Sequence, residues 1–124
     1  MQTELPLVLV FDDDLIVNPD FLGVHAARFV YRANADNAVD DVLEVMPDLV
    51  FMDFSMGTQI DGATAVRLLR AAFASLPIVA ISSDSRRNRV MIEVGADDGV
   101  PKMALAEQLR HVLTHARAFV DPNA

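Results

Sequence analysis

The sequence predicts an α/β fold, a doubly wound five-stranded parallel sheet, on three observations. Leu7-Val8-Leu9-Val10-Phe11, Leu49-Val50-Phe51-Met52 and Ile78-Val79-Ala80-Ile81 are short, unbroken apolar runs. That is the pattern of strands covered on both faces. Segments of helical spacing separate the runs, so strand and helix alternate five times, as in parallel βαβ units. Two of the runs end in acid, Asp12-Asp13-Asp14 and Asp53. Open parallel sheets hold ligands beyond the C-terminal ends of their strands. Carboxylates converging there repel one another unless a cation joins them, so the pattern predicts a divalent-metal site.

The elements follow in order. After the first strand, Asn18-Pro19-Asp20 offers an N-cap with proline at the first helical position, and a helix is expected to about Arg28. Phe29-Val30-Tyr31 reads as a short second strand. Asn34 can cap a helix whose apolar positions are Ala38, Val39, Val42, Leu43 and Met46, stopped by Pro47. The strand at 49–54 leads through a loop with Gly57 and Gly62 into a helix marked by Ala65, Leu68, Leu69 and Ala72. The strand after Pro77 ends in Ser82-Ser83. A short helix through Val90, Met91 and Val94 stops at Gly95, and a brief fifth strand is expected at Asp98-Gly99-Val100. In the last helix Leu105, Leu109, Val112, Leu113 and Ala116 form one stripe, with Glu107, Arg110, Thr114 and Arg117 outside it. Such a (βα)5 chain fits the flavodoxin-like strand order 2-1-3-4-5, which sets the first and third strands side by side.

Composition narrows the function classes. The chain has 124 residues, enough for one domain with a real core, and 52% of them are hydrophobic. A net charge of −8 without a long basic run argues against nucleic-acid binding. Without cysteine there is no disulfide, zinc–thiolate site or thiol nucleophile. No stretch approaches the roughly 18 apolar residues of a membrane span, and Met1-Gln2-Thr3-Glu4 lacks a basic leader region. A soluble, cytoplasmic protein is expected.

The acids then acquire roles. Asp53 is the candidate nucleophile, since a carboxylate can accept a phosphoryl group once the incoming charge is neutralised. Asp12 and Asp13 suit Mg²⁺, a hard ion that prefers oxygen ligands. Asp14 fits a helix cap as well as it fits a ligand. Lys102, the single lysine, follows the last strand at the same end of the sheet and can act as a compact point charge on a phosphoryl oxygen. Ser82 offers a hydroxyl at that edge.

At these residues the chain resembles the receiver domain of two-component response regulators over essentially its whole length. The resemblance rests on Val10-Phe11-Asp12-Asp13-Asp14, on Pro47-Asp48-Leu49-Val50-Phe51-Met52-Asp53, and on Asp61-Gly62. Pro77-Ile78-Val79-Ala80-Ile81-Ser82 and Gly95-Ala96-Asp97-Asp98, followed by Lys102, complete it. It implies that Asp53 takes a phosphoryl group from the phosphohistidine of a histidine kinase or a histidine phosphotransfer protein. Asp12, Asp13, Asp53 and the backbone carbonyl of Ser55 would hold Mg²⁺, and Ser82 and Lys102 would bind phosphoryl oxygens. Output would pass through protein contacts of a monomer or a phosphorylation-dependent dimer. With only Asp121-Pro122-Asn123-Ala124 after the last helix, a stand-alone single receiver domain over residues 1–124 is expected.

Some positions depart from the family pattern. The loop at Ser55-Met56-Gly57-Thr58-Gln59-Ile60 lacks the usual proline and looks one residue longer. The strand-5 aromatic falls on Gly99, the proline after the lysine is Met103, and Ser82 stands for the commoner threonine. Gly99 is therefore expected to leave the aromatic's space empty and loosen the fifth strand. Readout would move to the Ser55–Ile60 loop and the arginine-bearing helix. Arg86, Arg87 and Arg89 there form either a solvated face or a docking patch for an acidic partner. His111 and His115 are spaced to grip a metal but have no third ligand, and His25 reads as structural. Two alternatives stand beside the receiver. One is a haloacid-dehalogenase-like phosphatase with Asp12 as nucleophile; the other is a pseudo-receiver that binds a partner without phosphorylation.

Overall fold

The computed structural model describes residues 5–23, 26–57 and 59–120, with side chains as far as residue 115. Its strands are β1 (Leu7–Phe11), β2 (Arg28–Arg32), β3 (Leu49–Met52), β4 (Ile78–Ala80) and β5 (Asp98–Gly99). Its helices are α1 (Ala38–Val45), α2 (Gly62–Ala72), α3 (Ser85–Glu93) and α4 (Lys102–Val120). The strands form one parallel sheet in the order β2-β1-β3-β4-β5, as expected.

Alternate residues of each strand feed opposite faces. Leu9, Phe11, Val50, Met52, Ile78 and Ala80 pack under α1, α2 and α3 through Ala38, Val42, Ala65, Leu69 and Met91. Val8, Val10, Leu49, Phe51, Val79 and Ile81 pack under α4 through Leu105, Leu109 and Val112. These strand residues are almost wholly buried, which is why their sequence reads as continuous apolar runs rather than alternation.

The first crossover differs from expectation. In place of a helix from Asn18 to about Arg28, the chain makes two 3₁₀ turns, Leu15–Val17 and Pro19–Phe21. Asn18 precedes proline and is pushed out of the helical region, to φ −133° and ψ 59°. Gly23, at φ 77°, then ends any continuation. Pro19 thus opens one turn rather than a helix, and the described residues hold four α-helices rather than five. Leu15, Leu22 and Ala27 still cover the sheet beside α4.

Smaller shifts follow from local bonding. The Oδ1 of Asn34 accepts from the Asp36 amide (3.1 Å) in a turn, so α1 starts after Asn37 instead. Met46 ends α1 in the left-handed region at φ 53°. It is exposed, as are Leu43 and Leu68, so these three lie off the buried stripes. Acids at the opposite end of the sheet are structural. Asp48 accepts from the Leu7 amide (2.8 Å), and Asp97 from the Ile78 amide and Arg70 (each 2.9 Å).

Candidate functional site

The register pairs Phe11 with Met52, so Asp12 and Asp53 leave adjacent strands side by side. The Asp53 amide donates to the Phe11 carbonyl (3.0 Å) and extends the ladder into the site. Carboxylate oxygens of Asp12, Asp13 and Asp53 lie within 4.8 Å of one another. Asp12 is fully buried, Asp53 nearly so, and Asp13 is exposed. Asp12 Oδ1 accepts from the amides of Asp14 (2.8 Å) and Leu15 (3.0 Å), which fixes the start of the first turn.

Lys102 closes the cluster. Its Nζ lies 2.7 Å from Asp12 Oδ2, 3.1 Å from Asp53 Oδ2 and 3.5 Å from Asp14 Oδ2. The buried Asp12 Oδ2 thus lies directly against the ammonium. Burial lowers the Lys102 pKa, but Asp12 and Asp53 outweigh it and hold the ammonium above its ordinary range. Burial raises the Asp53 carboxyl, and the Asp12 charge adds to this against Lys102 and the Phe54 amide, which donates to Oδ1 (2.8 Å). Three acids, Asp12, Asp14 and Asp53, share one ammonium with Asp13 beside them, and a further cation would relieve the remaining like-charge repulsion. This all-oxygen donor set fits Mg²⁺ rather than a thiophilic metal.

Gly62 shapes the other wall. The Asp61 side chain caps α2 by accepting from the Thr64 amide (2.8 Å), and the Gly62 amide donates to the Phe54 carbonyl (2.8 Å). A Cβ at Gly62 would overlap the Asp53 carbonyl oxygen, so only glycine lets α2 begin this close to the acid. Ser55 lies two residues beyond Asp53 on the same loop.

Ser82 lies two residues beyond β4 and is buried, with its Oγ accepting from the Asp84 amide (3.1 Å). Sequence reasoning missed Asn88. Its buried carboxamide grips Ser82 twice, accepting from the amide at 2.7 Å and donating to the carbonyl at 3.0 Å. The signal was present: Asn88 stands three residues before Met91 on the buried stripe of α3.

Asn88 also corrects the expectation of an empty space at Gly99. A Cβ on Gly99 would sit 3.0 Å from the Asn88 Cβ and 3.3 Å from the Ile92 Cδ1, so α3 fills that position and packs directly on β5. The arginines divide: Arg86 pairs with Asp84 (3.4 Å), whereas Arg87 donates to the Ser55 Oγ (2.8 Å) and lies over the Phe54 ring. His111 and His115 are exposed and stack at 6.1 Å, and among the described residues they belong to no group of three possible metal ligands. His25 lies outside the described residues.

A parallel sheet ordered 2-1-3-4-5, with paired acids at its switch point and a lysine bridging them, defines a class of small α/β signalling domain. The family match makes the class specific: residues 8–114 match the response regulator receiver domain, and the chain belongs to that family. It is 33% identical over 93% of its length to a protein-glutamate methylesterase/protein-glutamine glutaminase of Nocardioides, covering 34% of that protein. It is 29% identical over 79% of its length to the transcriptional regulatory protein RstA of Escherichia coli, covering 43% of it. The chain therefore spans about a third to a half of these curated relatives. The response regulator domain of Thermotoga maritima CheB shares the fold at TM-score 0.75 and 20% identity, over 95% of this chain and 98% of that one. The receiver domain of NtrX from Brucella abortus does so at 0.72 and 23%, over 92% and 98%. Among the described residues no helix is long and apolar enough to cross a membrane.

Proposed function

We propose that this domain is a phosphoacceptor switch or relay of a two-component pathway, with Asp53 as the acceptor. The observation that carries the reading is Lys102, whose ammonium touches both Asp12 and Asp53 inside a cluster of acids at the ends of adjacent strands. In the transfer, an Asp53 carboxylate oxygen forms a bond to phosphorus as the donor's P–N bond breaks. The donor imidazole departs with the electron pair, and as a neutral ring when its other nitrogen carries a proton. Lys102 supplies a fixed positive charge for a phosphoryl oxygen, and the Ser82 hydroxyl can donate to another while still accepting from the Asp84 amide. Asp12, Asp13, Asp53 and the Ser55 carbonyl would hold Mg²⁺, which when bound neutralises charge on the transferring group.

The donor in this reading is a histidine kinase or a histidine phosphotransfer protein in the cytoplasm, and the state is read through protein contacts. The domain promotes only its own phosphorylation and dephosphorylation. Asp12 is the weaker nucleophile candidate, because its side chain has 0% exposure against 9% for Asp53.

Incubation with acetyl phosphate and Mg²⁺ should add one base-labile phosphoryl group by intact mass, and Asp53→Asn should abolish it. Labelling that survives in Asp53→Asn and vanishes in Asp12→Asn would move the assignment to a phosphatase-like chemistry. A wild-type protein that never labels would favour a phosphorylation-independent pseudo-receiver.

A further inference from the structure

Arg87 occupies a position that helix energetics do not favour. It is the third residue of α3, in the first turn, where the macrodipole opposes a cation. It is also exposed, so burial does not hold its side chain. Two contacts do. Its Nη1 donates to the Ser55 Oγ at 2.8 Å, and its guanidinium carbon lies 4.9 Å from the centroid of the Phe54 ring. Both partners belong to the loop that directly follows Asp53, and the Phe54 amide itself donates to the Asp53 Oδ1. Arg87 is thus stationed on the acceptor loop, while its neighbour Arg86 is paired with Asp84.

We propose that Arg87 is a second cationic ligand of the phosphoryl group carried by Asp53. The inference rests on the receiver reading given above. The Phe54 ring offers the guanidinium a π face and no oxygen or nitrogen acceptor, so the contact uses none of its N–H groups on a conventional acceptor. The guanidinium carries five donors, of which Nη1 alone has a hydrogen-bond partner among the described residues. The Ser55 hydroxyl is a neutral acceptor, and a phosphoryl oxygen is a stronger one by virtue of its charge. The need for positive charge is also local: Asp12, Asp14 and Asp53 share Lys102, and phosphorylation adds more negative charge on the Asp53 side. Arg87 would then exchange Ser55 for the phosphoryl group with its Phe54 contact kept. Lys102 approaches from α4 and Arg87 from α3, so the phosphoryl group ties these two helices together. The arginine patch therefore contains one residue that serves the site and one, Arg86, whose side chain pairs with the Asp84 cap of its own helix.

Calorimetric titration with beryllium trifluoride in saturating Mg²⁺, using the full chain, tests this directly. Arg87→Ala should weaken binding of this phosphoryl mimic about tenfold, the low end for a hydrogen bond to a charged group. Arg87→Lys should recover only part of the loss, because an ammonium lacks the planar fork. Arg86→Ala should bind within about twofold of wild type, as a rim charge removed from the contact does. Mg²⁺ affinity without the mimic, and the melting temperature, should be unchanged in Arg87→Ala. An Arg87→Ala protein that binds the mimic like wild type overturns the proposal. So does an equal loss in Arg86→Ala, which would show a diffuse field, or a matching loss of Mg²⁺ affinity, which would show action through the metal. Wild type that labels at Asp53 while any of these holds sinks the Arg87 assignment alone. Wild type that neither labels nor binds the mimic overturns the receiver reading and this inference together.

Discussion

Replacing Asn88 with alanine should unlatch β4 from α3, and its cost can be worked from the structure. The carboxamide is buried and makes hydrogen bonds of 2.7 and 3.0 Å to the Ser82 amide and carbonyl. Alanine leaves both backbone groups unpaired at a buried strand end. Each unsatisfied group costs about 1–3 kcal/mol, so the pair should cost about 2–4 kcal/mol after local relaxation. For a chain of this size that is a fall of about 10 °C in melting temperature. Urea denaturation should show the same loss as a lower midpoint with an unchanged slope. Asn88→Asp adds a pH test. At neutral pH it sets a carboxylate oxygen against the Ser82 carbonyl and should lose at least as much stability as alanine. Burial and that carbonyl would raise its pKa, so stability should return as the pH falls and the protonated carboxyl donates. Mg²⁺ binding should survive in both variants, because among the described residues the Asn88 side chain hydrogen-bonds Ser82 and none of the three acids. An alanine variant within about 0.5 kcal/mol of wild type, or an Asp variant indifferent to pH, would refute the latch.

Mg²⁺ at a hundred times its dissociation constant should stabilise the fold by about 2.7 kcal/mol through mass action. Asp13→Ala should lose most of that response by calorimetry, and it should still fold because Asp13 is exposed. Gly62→Ala should cost about 3 kcal/mol in thermal denaturation, because the added Cβ meets the Asp53 carbonyl and lies 2.8 Å from the Phe54 Cα, backbone atoms that cannot rotate away. Tyr31 is the single tyrosine and no tryptophan is present, so near-ultraviolet absorbance reports its ionisation alone. Burial first, and then the Asp20 charge, raise its pKa above the ordinary 10.0. The folded protein then holds the phenol proton more tightly than the unfolded chain. That stabilisation is fully present below about pH 10 and is lost as pH rises through the folded-state value. Tyr31→Phe should remove that part of the alkaline loss of stability.

The five-strand order and the meeting of Asp12 with Asp53 were legible because a parallel sheet buried on both faces writes itself as continuous apolar runs. Acids at the ends of neighbouring runs must then converge. Lys102 was legible for a related reason: a single cation after the last strand, at the same sheet edge, stands out against an acidic cluster. The first crossover was not. Asn18-Pro19-Asp20 is locally a good helix start, and what defeats it is one steric clash before proline and one left-handed glycine. Leu43, Met46 and Leu68 are exposed although helical spacing sets them beside buried positions, because packing against neighbouring elements, which periodicity does not state, decides burial.

Sequence alone determined the sheet, the acid cluster and its lysine, because strand periodicity and chain order are sufficient to place them. Only tertiary structure decided what fills the place beside Gly99 and where Arg87 reaches. A glycine in a sequence says that a side chain is absent there, whereas the Asn88 and Ile92 atoms that occupy the position come from another element. An arginine near a helix start reads as solvated surface until a loop from β3 brings Phe54 and Ser55 beneath it. Both contacts join separate elements of the fold, and packing between elements, rather than any local preference, sets such contacts.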